Sequence, residues 1–478
     1  MKFIVIGILT SLSFPSCDFY IFSIIGPALL FYELKRRPWA GMNIGFLYAL
    51  GLLTPQIYWV YEYNKLAPLA VILLSAFPYA VVCKVVGESK LRFAVAMTAA
   101  EFFRSIGAFA LPWVLLGTSV PGRMIETAAS IVGVWGISFI LYLMAAIAAD
   151  SVRRADRFAL CIVLATLLLM PSRGFAPSPP DPNNEVLVGI VQGNFSLDQD
   201  FEFRPQEVEA YLFEATDELI RQGAELIVWS ETVILKYLNR DTSIGRAIEA
   251  YANRNQVVIV SGAPTLFLDG TKRNSAYIFG SSKKLGIEKH DADHLARYDK
   301  YHLVPFGEYV PVLGPDNDHI IMPQGVGDFT PSIMAVRIGK LGLMICYEGA
   351  FSYLARQLVN QGAELLITIS NDAWATSEIE AEQHYRLTRL RPLETGVFLV
   401  RADNVGVSVI MDPRGKEIAS LGTNKKGVII GRVVLNKGDT FFNDSGDWVG
   451  WLTLLGLPFY LILWVAKEEN KNENIGFI

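Results

Sequence analysis

A chain of 478 residues with 52% hydrophobic and only 19% charged side chains is more apolar than a soluble protein, which carries about 45–50% apolar and about 25% charged residues. Its net charge of −5, with no Lys/Arg stripe in the more polar part, lacks the electrostatic footprint that nucleic-acid binding needs. Disorder, a collagen-like chain and a disulfide scaffold are excluded by the same composition.

The apolar excess is uneven. Residues 1–171 and 447–466 hold nearly all the long apolar runs, whereas 180–440 has the charges and turn residues of a water-soluble domain. Crossing a hydrocarbon core about 30 Å thick takes about 20 mostly apolar residues. In chain order the segments of that length are about 18–34, 39–60, 66–86, 93–117 and 126–149, with shorter runs at 3–14 and 158–171 and a last one at 447–466. About eight transmembrane helices are therefore expected, as an N-terminal bundle over 1–172 and a C-terminal helix over 447–466 that flank a soluble domain over 180–440.

If every segment crosses, Lys35, Arg36, Arg37, Lys84, Lys90, Arg92, Arg153, Arg154 and Arg157 share one side, and only Lys65 and Arg123 sit in short loops on the other. Cytoplasmic loops carry the basic excess, so both termini are expected in the cytoplasm and 180–440 on the outer face. Residues 3–14 also have the makeup of a signal peptide, although Phe14 and Pro15 are poor cleavage residues; its removal would leave 180–440 outside as well. Glu101 and Arg104, three apart within 93–117, share a helix face, either as a structural ion pair or as a contact to a lipid headgroup or substrate.

Pro177, Pro179, Pro180 and Pro182 with Asn183 and Asn184 form a breaker-rich linker. Beyond it, strands are expected at Val186–Val191, Glu225–Val228 and Val257–Val260, with helices at 205–222 and 242–254 between them. Further strands are expected at 334–338, 342–346, 364–369, 397–401 and 406–411, with helices near 350–360 and 380–394. Continuous apolar strands alternating with helices predict an α/β architecture whose strands are buried on both faces. The stretch from Arg221 to Glu231 echoes that from Asn360 to Asp372: Gln-Gly-Ala-Glu-Leu, then an apolar strand. Such an echo predicts two similar halves, and polar residues at the carboxyl ends of strands then nominate Glu231, Cys346 and Asn371 for the site.

Of the four cysteines, only Cys346 lies in the soluble part, so it is a free thiol, structural or reactive. A thiol of pKa about 8.5 needs a base or cation nearby to act as a nucleophile. Glu231, in Trp229-Ser230-Glu231-Thr232, is able to take the proton, and Lys300, in Tyr298-Asp299-Lys300-Tyr301-His302, is able to hold the charge that develops on a substrate carbonyl. The residue types alone leave each of the three open to a purely structural role. Among the histidines, His290 and His294 have a shared-face spacing but sit in a solvated acidic stretch. No zinc spacing, Walker loop or dinucleotide Gly pattern is present, so no metal or cofactor is expected.

Taken in order, the strings Trp229-Ser-Glu-Thr232, Gly262-Ala-Pro264, Asn274-Ser-Ala-Tyr277, Tyr298 through Pro311, Ile345-Cys-Tyr-Glu348, Ser370-Asn-Asp-Ala-Trp374, Leu390-Arg-Pro-Leu-Glu394 and Arg401-Ala-Asp-Asn404 resemble the nitrilase superfamily. With membrane segments on both sides, the whole chain is similar to its membrane-embedded branch, the apolipoprotein N-acyltransferases. That resemblance implies a nitrilase-like αββα sandwich inserted between transmembrane helices, in a monomer of the bacterial inner membrane with its catalytic domain on the periplasmic side. It implies Glu231 as general base, Lys300 as oxyanion-stabilising cation and Cys346 as nucleophile. Glu308, Tyr347 and Glu348 would support the site, Tyr347 through its backbone N–H.

The reaction implied is acyl transfer from a phospholipid, through a Cys346 thioester, to the α-amine of a diacylglyceryl-cysteine lipoprotein. Val310–Leu313 and Ile320–Met322 would dip into the bilayer surface, or pack as ordinary loops. The chain departs from the family where Ala375-Thr376 stand in place of Phe-Gly and where Phe195, Phe201 and Phe203 stand in place of a Trp upstream of Glu231. A membrane-tethered amidase or hydrolase with the same triad and a non-catalytic membrane scaffold are the rival readings.

Overall fold

The computed structural model describes every residue except 16, 63, 64, 66, 108, 121–125, 151–183, 198, 199, 201–203, 241, 281–295, 306, 309–332, 337, 375, 376 and 476–478. The segment 158–171, the proline linker, His290, His294, Val310–Leu313, Ile320–Met322 and Ala375-Thr376 therefore lie outside the described residues. Two compact units emerge: Met1–Gly174 with Asp447–Ile478, and Phe175–Gly446.

In the first unit, helices cover Lys2–Ser11, Phe22–Arg36, Gly41–Ile57, Ala67–Cys83, Lys90–Phe103, Glu126–Ala149 and Trp448–Ile475. Among the described residues two stretches, Pro38–Glu62 and Thr127–Ala149, are long and apolar enough to cross a membrane; Lys2–Ser11, Ala67–Cys83 and Trp448–Tyr460 are apolar but shorter. Small residues set the close approach of the first helices: a Cβ on Gly7 would strike the Tyr48 carbonyl, and one on Gly51 would strike the Ile4 carbonyl. This is how apolar helices pack when lipid removes the hydrophobic drive between them. Leu69, Leu74 and Phe77 on one helix and Trp451, Leu455 and Phe459 on the last are large apolar side chains that remain exposed.

The expected continuous helix over 93–117 is not formed. It stops at Phe103, and the chain then turns through Gly107 at φ +82°. Glu101 and Arg104 do not form the expected pair with each other; they fasten this irregular stretch. The Arg104 guanidinium donates to the carbonyls of Leu111 at 3.2 Å, Trp113 at 2.6 Å and Val114 at 3.0 Å. The Glu101 carboxylate accepts from the Leu116 N–H at 3.0 Å and the Tyr142 hydroxyl at 2.7 Å. Non-helical backbone in an apolar setting needs such partners.

The second unit is built on strands β1 (Glu185–Gln192), β2 (Leu226–Val228), β3 (Val258–Leu266), β4 (Lys272–Phe279), β5 (Ala296–Asp299), β6 (Ile333–Val336), β7 (Gly339–Ile345), β8 (Leu365–Ser370), β9 (Phe398–Asp403), β10 (Ser408–Met411), β11 (Glu417–Leu421) and β12 (Gly427–Val434). Among the described residues they form two sheets, ordered β12-β1-β2-β3-β4-β5 and β11-β10-β9-β8-β7-β6. Period-2 alternation decides the layers. Val188, Ile190, Val228 and Val260 of one sheet pack with Leu343, Ile345, Ile367 and Ile369 of the other. The opposite faces are covered by helices: Leu212, Leu219 and Ile248 lie on Ile227 and Ile259, while Leu358 and Tyr385 lie on Leu366 and Leu399. The result is an αββα sandwich.

The internal echo has a structural counterpart. In each sheet three parallel strands, β1-β2-β3 and β7-β8-β9, continue into an antiparallel pair, β4-β5 and β10-β11. An antiparallel strand closes the other edge, β12 beside β1 and β6 beside β7. β2 and β8, which carry the repeated sequence, hold the same place in their sheets, so Glu231 and Asn371 follow equivalent strand ends.

Candidate active site

Cys346 directly follows β7, in a turn where its φ is +53°. Only a few per cent of non-glycine residues adopt a positive φ. The Glu348 carboxylate holds this turn from two sides: Oε2 accepts from the Ile345 N–H at 2.7 Å, and Oε1 accepts from the Tyr298 hydroxyl at 2.8 Å and the N–H groups of Tyr301 and His302 at 2.7 and 2.9 Å. Glu348 thus ties the segment bearing Lys300 to the segment bearing Cys346. Burial pushes its carboxyl up to about 7, against the pull of those donors.

Glu231 and Lys300 both face the cysteine. The buried Glu231 carboxylate is close enough to the thiol for each to perturb the other's ionisation, and its Oε1 accepts from Asn274 Nδ2 at 2.5 Å and from Lys300 Nζ at 3.3 Å. Lys300 Nζ also donates to Glu308 Oε1 at 2.7 Å, and Glu308 Oε2 accepts from the Val304 N–H at 2.9 Å. Glu231, Lys300, Cys346 and Glu308 are therefore brought together, and Glu348 and Tyr347 adjoin them. The Tyr347 ring packs on Phe351 and His302 at centroid distances of 4.9 and 5.5 Å.

The charges decide the resting state. Burial opposes a charged Lys300, yet Glu231 and Glu308 outweigh it and hold the amine well above its usual pKa. Burial raises Glu231, with Lys300 pulling it back and Glu308 pushing it further up. Burial also drives the Cys346 thiol well up, and the Glu231 charge adds to this more than Lys300 relieves it. One cation is shared by two carboxylates, and burial together with the Glu231 charge favours the neutral form of the thiol.

Asn371 is buried nearby, and its Oδ1 accepts from the Ala373 N–H at 3.2 Å and from the Asn404 side-chain amide Nδ2 at 3.0 Å. Asn404 in turn brackets Phe195, accepting from its N–H at 3.0 Å and donating to its carbonyl at 2.8 Å.

Two further groups escape a reading of local strings. Asn274 on β4 orients Glu231; its motif is visible in the sequence, but its role depends on β4 lying beside β3. The second is a buried cluster behind Cys346. His384 Nε2 lies 3.0 Å from the Cys346 carbonyl oxygen and His384 Nδ1 lies 2.9 Å from Asp372 Oδ1. Arg401 donates to Asp372 at 2.8 Å and to Asp403 at 2.7 Å. The rule that strand ends carry the site points to Asp372 and Asp403, after β8 and at the end of β9. The Cys346 sulfur, an Asp372 oxygen and a His384 nitrogen lie within 4.8 Å of one another, which are the donor types of a metal site. Both Asp372 oxygens are nevertheless engaged, and the Arg401 guanidinium already supplies the positive charge. The cluster reads as an ion-pair network.

A family model for carbon-nitrogen hydrolases matches residues 187–440, more than half of the chain and the whole of this site. The chain belongs to the carbon-nitrogen hydrolase family. A second model, the apolipoprotein N-acyltransferase N-terminal domain, matches residues 6–147, and the two together put the chain in the acyltransferase branch of the nitrilase superfamily. The apolipoprotein N-acyltransferase of Geobacter metallireducens is 29% identical, over 94% of this chain and 92% of its own. That of Vibrio vulnificus is 28% identical, over 97% and 96%. Among solved structures, Nit3 of Saccharomyces cerevisiae is 22% identical with a TM-score of 0.40, covering 52% of this chain and 90% of its own. A carbon-nitrogen hydrolase from Helicobacter pylori is 18% identical with a TM-score of 0.41, covering 57% and 94%.

Proposed function

We propose that the chain is a multi-pass inner-membrane enzyme that moves an acyl chain from a phospholipid to the amine of a lipoprotein's diacylglyceryl-cysteine, through a thioester on Cys346. The observation that carries the chemistry is the buried Glu231 carboxylate, with Oε1 engaged by Asn274 and Lys300 and Oε2 left without a hydrogen-bond partner, in a position to perturb the ionisation of the thiol. Glu231 takes the thiol proton as the sulfur attacks the ester carbonyl carbon, and Lys300 faces the oxygen on which charge develops. The carbon–oxygen ester bond breaks, the proton passes from Glu231 to the leaving alkoxide, and lysophospholipid departs. The lipoprotein amine then attacks the thioester, Glu231 takes its proton, and the amide forms as the thiol is regenerated. Glu308 holds Lys300, and Glu348 holds the turn.

The membrane part suits this reaction, because donor and acceptor are lipid-anchored and do not enter water. About eight crossings, a monomer, and an outer-face catalytic domain complete the reading. Lys35 and Lys90, expected on one side, both pair with Asp150, at 2.8 and 3.1 Å, which supports that part of the topology.

The test is intact mass of the purified chain after incubation with phospholipid vesicles. An acyl adduct on Cys346, lost in Cys346→Ala and transferred to a diacylglyceryl lipopeptide amine, is expected. Release of free fatty acid alone would favour a hydrolase, and no adduct would favour a scaffold.

A further inference from the structure

We propose that His384 is a positioning residue for this acyl transfer: by holding the Cys346 carbonyl it fixes the plane of the Cys346–Tyr347 peptide and so aims the Tyr347 N–H at the substrate oxygen. The inference rests on the thioester reading above.

A carbonyl oxygen only accepts, so the 3.0 Å contact requires His384 Nε2 to carry hydrogen. On its far side Nδ1 lies 2.9 Å from Asp372 Oδ1 and 3.3 Å from Arg401 Nη2, which is able to donate to it when the ring is neutral. Asp372 is itself gripped by Arg401 Nη2 at 2.8 Å and by the Ser370 hydroxyl at 3.1 Å. Arg401 is held in turn by Asp403 at 2.7 Å, the Val407 carbonyl at 3.2 Å and the Thr388 hydroxyl at 3.1 Å. All of these side chains are buried, so the ring has no room to swing.

The turn that His384 holds is the one that needs holding. Cys346 sits at φ +53°, and relaxation toward an ordinary φ would rotate the following peptide. That peptide is planar and trans, as no cis bond is present among the described residues. Its C=O and N–H therefore point to opposite edges, and fixing the oxygen fixes the hydrogen. A hydrogen bond to the oxygen also polarises the amide and makes its N–H a stronger donor. Tyr347 owns that N–H, next to the nucleophile and on the edge opposite His384.

The same proximity invites a rival, a Cys346–His384–Asp372 triad with the imidazole as base. The geometry argues against it, because Nε2 is spent on the backbone carbonyl and Nδ1 faces Asp372 and Arg401.

The experiment uses the full-length protein in detergent and compares wild type, His384→Leu and His384→Gln. Two rates are measured: thioester formation from phospholipid by intact mass, and iodoacetamide alkylation of Cys346 across pH. His384→Leu removes the donor and is expected to slow thioester formation on the order of 10²–10³-fold, the loss typical of an oxyanion donor, with little change in KM. Its alkylation rate and pH midpoint stay near wild type. His384→Gln, whose amide reaches the same carbonyl, recovers at least about tenfold of the acylation rate. Should the leucine variant not fold, His384→Asn keeps an amide against Asp372 but falls short of the carbonyl, and the same loss is expected.

Wild-type thioester formation in His384→Leu overturns the inference, as does equal impairment of the leucine and glutamine variants. Alkylation collapsing together with acylation overturns it in favour of the triad. Absence of a thioester in wild type itself would instead overturn the function on which it rests.

Discussion

His302 shows how much one side chain's surroundings decide. Its ring packs at a tilt against Phe351 at a centroid distance of 4.0 Å, and Nδ1 meets the Tyr353 hydroxyl at 2.9 Å. Burial and then the charge of Lys300 depress its pKa to about 4. The unfolded chain, with a histidine pKa of about 6.5, binds the proton first as pH falls. Folding therefore loses stability between about pH 6.5 and 4, by at most about 3 kcal/mol from this group. His302→Phe keeps an aromatic ring against Phe351 and removes the titration. Thermal melting at pH 7 and 4.5 is expected to show a smaller acid loss in the variant than in wild type, and equal losses would contradict the assignment. The sequence made Glu231, Lys300 and Cys346 readable because each sits in a short distinctive string. It did not make readable the protonation of Cys346, which depends on burial and on two carboxylates sharing one lysine, nor the role of His384, whose partner is a backbone carbonyl 38 positions away.

At the scale of elements, the site exists because two strands approach closely. Gly262 on β3 lies against the Glu231–Thr232 backbone so tightly that a Cβ there would overlap the Thr232 nitrogen and Glu231 Cα. Gly262→Ala is therefore expected to push Glu231 off its position, costing roughly 10²-fold in acylation and about 1–3 kcal/mol in stability. Gly422→Ala, whose new Cβ meets only the Lys425 ammonium at 3.9 Å, is expected to leave both unchanged. Steady-state acylation and melting of the two variants check this, and an active Gly262→Ala would sink it. The central strands were legible because β2, β3, β7, β8 and β9 are buried and read as apolar runs. β11 was not, since Glu417–Leu421 is a largely exposed edge strand with a polar pattern, and β4 opens on Lys272, Arg273 and Asn274. The end of the helix at Phe103 was hidden for a different reason: the residues beyond it are largely apolar, and side-chain partners from Glu101, Arg104 and Ser138 make irregular backbone tolerable there.

For the whole molecule the outstanding physical claim is sidedness, and it follows from charge rather than from fold. A hydrolase-type sandwich works equally well on either face of a membrane; an enzyme whose acceptor is exported requires it outside. The basic loops carrying Lys35, Arg36, Arg37, Lys84 and Lys90 argue for that arrangement, since each such residue resists transfer to the outer face. Two cysteine variants convert the claim into a measurement. Leu268, in the turn between β3 and β4, is 93% exposed, and Lys84 is exposed beyond the helix Ala67–Cys83. In intact spheroplasts a membrane-impermeant maleimide is expected to label Leu268→Cys at once and Lys84→Cys only after permeabilisation, with wild type as the background for the native cysteines. The reverse pattern would put the thiol of Cys346 on the cytoplasmic side, where a lipoprotein amine exposed after export is out of its reach, and acyl transfer to such an acceptor would have to be abandoned even if the thioester forms.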